Sequence, residues 1–243
     1  MFKNYSQILA RYVHESDGKE ISPIVLHEAK RSLMNYFAVI FASVHDDTIT
    51  KAIHVLNAFS ANQSCTILGR NHKTDMLNAA AFNAMAANVF DFDDTHIPTI
   101  IHPTSPVASA LLALSETHRV NGFDFLHALI LGMEVECRIG NSISPSHYSR
   151  GWHITSTCGV FGSTVAIGKL LNLSSEQFNW AFGSASAQAC GLVETLGTMA
   201  KSMSVGNAAR NGLVSALLAA QNFTGPDAPL DGERGFLRVF GME

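Results

Sequence analysis

Residues 83–106 read NAMAANVFDFDDTHIPTIIHPTSP, and the reading of this stretch decides the fold. Its alanine-rich first half predicts a tightly packed helix. That helix ends in an acidic cluster, Asp91-Phe92-Asp93-Asp94-Thr95-His96. After a short loop, His102-Pro103-Thr104-Ser105-Pro106 predicts the start of another helix. Thr104 or Ser105 is the expected cap, with Pro106 just inside. Carboxylates, hydroxyls and imidazoles are therefore expected where two helices abut. Trp152-His153 and Lys201 also fall at predicted helix ends, so all three points could converge.

The same helical signals continue on both sides. Upstream, Ser22-Pro23 opens a helix running to about position 44, and Asp47 is the expected cap of another. Thr74 or Asp75 starts the helix that ends in the acidic cluster. Downstream, Asn121-Gly122 marks a turn before a long helix over about 124–142. A helix over about 156–171 carries Gly159, Gly162, Ser163 and Ala166. Each isolated glycine weakens a helix by about 1 kcal/mol, so their presence predicts close approach of another helix or a ligand. Ser174 and Gln177 form a capping box, with Leu173 and Phe178 as a hydrophobic staple. A second small-residue helix is expected over 181–190, Lys201 in the loop after it, and a last strong helix over about 204–221. Only residues 64–68 (SCTIL) suggest a strand, too short to found a sheet. The expectation is an all-α fold of about nine helices, one domain over 1–243.

Composition sets limits on partners. The chain has 243 residues, 47% hydrophobic and 15% charged, against a usual charged fraction of about 25%. Little charge implies a compact body or surface hidden in an oligomer. With 16 basic and 20 acidic residues and no basic run, nucleic acid is not an expected partner. No apolar run reaches the roughly 18 residues of a membrane span, and the N-terminus lacks a signal-peptide block. Cys65, Cys137, Cys158 and Cys190 lie far apart and predict reduced core residues in a cytoplasmic protein.

If the helix persists through the acidic cluster, Asp91 and Thr95 share one face, Asp94 lies beside Asp91, and Asp93 points elsewhere. Three acids at the negative end of a helix dipole oppose it by a few tenths to about 1 kcal/mol each, a misfit that hints at function. Oxygen-rich clusters suit Mg²⁺ or Ca²⁺, but Asp-Phe-Asp-Asp lacks the glycine and distal glutamate of an EF-hand, and no second acidic motif faces it. The His45-Asp46 dipeptide alone is a weak sign of a metallo-phosphohydrolase. No metal is expected. His102 and His153 each precede a capped helix start, where free N–H groups attract anions and an imidazole can exchange protons near neutrality. Lys201 adds a third positive group. Together they would suit a small di- or tricarboxylate. The histidines at 14, 27, 54, 72, 118 and 127 read as surface or edge residues.

Five blocks in order give the chain a family likeness. They are Asp91-Phe92-Asp93-Asp94-Thr95 with His102-Pro103; Gly132-Met133-Glu134 with Arg138-Ile139-Gly140; Arg150-Gly151-Trp152-His153 with Thr155 and Thr157; Gly197-Thr198-Met199-Ala200-Lys201; and Gly206-Asn207-Ala208-Ala209-Arg210-Asn211-Gly212. In these the chain resembles the MmgE/PrpD family, which includes 2-methylcitrate dehydratase, cis-aconitate decarboxylase and iminodisuccinate epimerase. The resemblance implies a large all-helical domain, a homodimer, and no metal or organic cofactor. It implies an active site with Asp91, His102 and His153 as catalytic residues and Thr95 and Lys201 as substrate contacts. The chain is expected to stop about where the family's smaller α+β domain begins. Two functions follow as expectations: a cofactor-independent lyase or isomerase working at a carbon beside a carboxylate, or an inactive helical dimerisation remnant.

Overall fold

The computed structural model describes residues 4–60 and 62–241; positions 1–3, 61, 242 and 243 of the expected domain lie outside them. Eleven α-helices are present among the described residues: α1 Tyr5–Glu15, α2 Pro23–Ser43, α3 Asp47–Leu56, α4 Met76–Asn88, α5 Thr104–Ser115, α6 Gly122–Ile143, α7 Ser146–Ser149, α8 Ile154–Leu170, α9 Ser175–Ser186, α10 Met199–Ala220 and α11 Phe236–Phe240. The sole sheet among them is an antiparallel pair, β1 Cys65–Thr66 with β2 Lys73–Thr74. The all-α expectation therefore holds, and the SCTIL strand shrinks to a two-residue clip.

Many helix starts follow their local capping chemistry. Ser22 accepts from Val25 N, Asp75 from Leu77 N and Asn78 N, and Asn121 from Asp124 N. The capping box at Ser174 and Gln177 is complete. Asp46, one residue ahead of the expected Asp47, caps α3 through Thr48 N.

The core forms around α8, whose residues 154–168 are all buried. It is flanked by α5, α6, α9 and α10, and α4 packs on the far side of α5 and α10. Such packing needs small residues at the crossings. A Cβ at Gly212 of α10 would lie 2.4 Å from Ser163 Cβ of α8, and one at Gly132 of α6 would lie 2.7 Å from the Gly162 carbonyl. The glycines of α6, α8 and α10 thus serve helix–helix approach, at a helix-propensity cost offset by close packing.

Four expectations need correction. α4 stops at Asn88 rather than running through the acids, because Asp91 takes a left-handed backbone (φ 57°) that ends any helix. Residues 175–186 form one helix instead of a short start and a second helix over 181–190. α10 begins at Met199, so Lys201 stands in its first turn, not in a loop. Cys190 is exposed, although Cys65 and Cys158 are buried as expected and all four thiols are free.

Candidate active site

The site grows from the break after α4. Because the chain turns at Asp91, the three acids fan out instead of lining one helix face. Asp93, expected to point away, turns inward. Its carboxylate is buried and accepts from Asn88 Nδ2 at 2.9 Å, from the Ser105 hydroxyl, and from His102 Nδ1 at 3.2 Å. Asp94 takes the role assigned to Thr104 or Ser105. It accepts from Thr104 N at 3.2 Å and Thr104 Oγ1 at 2.6 Å, capping α5 from outside and letting the helix begin one residue early. A carboxylate at a helix N-terminus is favourable. Burial nonetheless raises its pKa.

Asp91 keeps an exposed carboxylate, which pairs with the Lys201 ammonium and lies 3.6 Å from His102 Nε2. Lys201 is buried along its length and also donates to Asn88 O at 3.4 Å. Thr95 Oγ1 lies 3.3 Å from His102 Nδ1. Asp91, Thr95, His102 and Lys201 therefore share one hydrogen-bonded network across 110 positions of sequence.

His153 joins from the N-cap position of α8, just ahead of its first turn. Its neighbour Thr155 accepts from His102 N at 3.1 Å, tying the two histidine segments together. The His153 backbone is pinned by its N–H to Gly191 O at 3.1 Å, next to an antiparallel bridge of Trp152 with Leu192. Its Nδ1 lies 3.1 Å from Ser156 Oγ and 3.3 Å from Ser204 Oγ, one turn after Lys201 on α10. All five residues expected at the site are thus brought together.

The two histidines have opposite proton affinities. Burial lowers the pKa of His102, but the Asp93 hydrogen bond and charge, with help from Asp91, outweigh it and raise the value above the ordinary one. For His153, burial and then the nearby Lys201 and His102 charges push the pKa down to about 4. Asp93 is shifted down: burial opposes ionisation, and the bonds from His102, Ser105 and Asn88 overcome it.

Asp91, Asp93 and His102 can each bring a ligand atom within 4.8 Å of the others, which makes them a conceivable metal set. The Lys201 ammonium already lies against Asp91, and the Asp93 carboxylate is engaged by Asn88, Ser105 and His102. That is the chemistry of an ion-pair network, not of an open coordination sphere.

A cleft of about 630 Å³ opens on another side of the acidic loop, lined by Ser32, Asp94, Thr95, His96, Met133 and Arg138 among others. Of the five site residues only Thr95 borders it. Sequence reasoning missed Asp93, Ser156 and Ser204. It also placed His127 at the surface, whereas His127 is buried and bonded to Ser16 Oγ at 2.8 Å.

One imidazole thus stands beside carboxylates, and the charge of Lys201 acts on the other. The chain belongs to the MmgE/PrpD family: residues 7–243 match the MmgE/PrpD N-terminal domain. It is 32% identical over 247 residues to the cis-aconitate decarboxylase-like protein oryM of Aspergillus oryzae, covering 98% of this chain and 51% of that protein. It is 31% identical over 229 residues to the cis-aconitate decarboxylase of Aspergillus terreus, covering 91% and 47%. With the human cis-aconitate decarboxylase the identity is 28% over 242 residues, covering 97% and 50%. The chain spans about half the length of these curated relatives. No helix among the described residues is long and apolar enough to cross a membrane.

Proposed function

We propose that the chain carries the acid–base half of a cofactor-independent lyase or isomerase that acts on a small di- or tricarboxylate. The observation that carries this reading is the pair of histidines with pKa values pushed apart around Lys201. Groups tuned in opposite directions by their surroundings mark a division of labour between acid and base. His102, charged beside Asp93, is the donor. His153, neutral, is the acceptor. Lys201 and the N–H groups at the starts of α8 and α10 hold substrate carboxylates, the ammonium being shared with Asp91. Thr95 orients His102 or a substrate hydroxyl.

The names of the relatives favour decarboxylation. The bond from carbon to one carboxylate breaks, CO₂ leaves, and the electron pair remains on carbon. Lys201 and the imidazolium stabilise that charge until His102 delivers a proton to the carbon. Dehydration would use the same groups differently: His153 removes the proton beside a carboxylate and His102 protonates the departing hydroxyl. Epimerisation would need only removal on one face and return on the other.

Exposed apolar side chains sit on the loops and the α10 start that carry the site, among them Phe92, Ile97, Leu192 and Met199. They support the reading that another domain or a second copy closes over it, in a homodimer of the cytoplasm. The test is an assay of the whole protein with cis-aconitate and 2-methylcitrate. Loss of turnover in His102→Ala and Lys201→Ala is the expected result, and variants as fast as the parent would end the proposal.

A further inference from the structure

His153 is useful as a base only if the lone pair of one ring nitrogen is free. Which nitrogen that is follows from hydrogen-bond bookkeeping around Nδ1. Two hydroxyls approach this atom, Ser156 Oγ at 3.1 Å and Ser204 Oγ at 3.3 Å. Each hydroxyl has one proton to give. Ser156 Oγ donates to the His153 carbonyl at 2.8 Å, and Ser204 Oγ donates to the Lys201 carbonyl at 2.8 Å. Both carbonyl contacts are shorter than the contacts to the ring. What the two serines turn toward Nδ1 is therefore oxygen lone pairs. A bare Nδ1 would face them with a third lone pair, which is repulsive. An Nδ1–H shared between them is attractive.

We infer that Ser156 and Ser204 are positioning residues that lock His153 as the Nδ1–H tautomer and leave the Nε2 lone pair as the proton acceptor. The inference rests on the proposed function for its catalytic meaning but not for its geometry. Among the described residues Nε2 has no hydrogen-bond partner, so nothing competes for its lone pair. The charged and titratable groups acting on the ring are Lys201, His102, Asp91 and Asp93.

The backbone around the serines is built to permit this arrangement. Gly191, whose carbonyl fixes the His153 backbone, has φ +133°, and a Cβ there would lie 2.0 Å from Ser156 Oγ. Any larger residue at 191 would evict the Ser156 hydroxyl. Ser204 reaches Nδ1 from α10 because Lys201 is in that helix's first turn, so one helix start presents both the anchoring ammonium and the second hydroxyl.

His102 provides the counterpart. Its Nδ1 faces the Asp93 carboxylate, so it too donates from Nδ1, but to a charge. A carboxylate partner favours the imidazolium, and hydroxyl partners only choose the tautomer. The same donor atom thus yields an acid at one ring and a base at the other.

The test is long-range ¹H–¹⁵N correlation NMR of the whole protein labelled at histidine nitrogens, with His153→Gln to assign the signals. At pH 7 the parent should show a protonated Nδ1 and a bare Nε2 for His153. The Ser156→Ala, Ser204→Ala double variant should shift toward the Nε2–H form. Its kcat should fall at least tenfold, part of the roughly 10²–10⁴ that a positioned base supplies, with KM little changed. An Nε2–H signal for His153 in the parent overturns the inference, and it does so without the double variant having to fold. An unchanged tautomer in a folded double variant overturns it as well. The stated tautomer together with no turnover of any carboxylate would support the assignment and remove the reaction proposed above.

Discussion

Asp93 and Glu136 are both buried carboxylates, and they behave in opposite ways. Asp93 lies in the loop between α4 and α5 among donors: Asn88, Ser105 and His102. Its pKa is lowered despite burial. Glu136 lies where α6 crosses α8, with both carboxyl oxygens lacking any hydrogen-bond partner, and a Cβ added at Gly162 would lie only 2.4 Å from one of them. Burial, then the charge of Asp94, raises its pKa well above the ordinary carboxylate value. Burial is common to both. What differs is whether the fold brings donors to the group, and only the donor-rich region can hold a charge next to a histidine.

The sharpest way to break this contrast is at the histidine that Asp93 serves. His102→Ala should reduce turnover by about 10²–10⁴, measured as kcat/KM on the whole protein, with stability barely touched by comparison. Asp93→Ala should destabilise the fold by about 3 kcal/mol in denaturant titration, because it leaves His102, Ser105 and Asn88 facing a void. A change under ~1 kcal/mol would show that these donors do not hold the region together.

Glu136→Gln tests the other side. The pKa of Glu136 in the fold lies above its unfolded value, so its contribution to stability is complete below about pH 4.5 and declines as pH rises toward the folded value. The decline is about 1.4 kcal/mol for each pH unit over that window. The glutamine variant should lack this slope and equal or exceed the parent in stability at pH 8. A steeper slope in the variant would contradict the reading of Glu136 as a neutral acid.

The rate profile gives a finer test. With His153 as base, pKa about 4, and His102 as acid, raised above 6.5, kcat/KM should rise through the acid limb and fall on the alkaline side. Asp93→Asn should move the alkaline limb to lower pH, since it removes the charge that favours the imidazolium. The smallest expected effect is that of a chelator. Treatment with EDTA should leave turnover unchanged, because Lys201 already supplies the cation beside Asp91.

Much of the helix pattern was legible because caps are local. Ser22, Asp75, Asn121 and Ser174 each bond to N–H groups two or three residues away. That Asp91, Thr95, His102, His153 and Lys201 would come near one another was also legible, partly from helix-end chemistry and partly from the family likeness. Asp93 was not, since its inward turn depends on the left-handed backbone at Asp91 and on partners from Asn88 to Ser105. Ser156 and Ser204 look like ordinary small helix residues until Nδ1 of His153 is placed between them. The unmet oxygens of Glu136 were equally hidden, because a glutamate in a helix reads as solvated when its facing helix is unknown.

The bond from His102 N to Thr155 Oγ1 makes the opening turn of α8 a ruler. Both imidazoles are measured from that single turn, one through the chain and one across it. Deleting one residue within that turn would shift its register by about 100° and part Thr155 from the His102 segment.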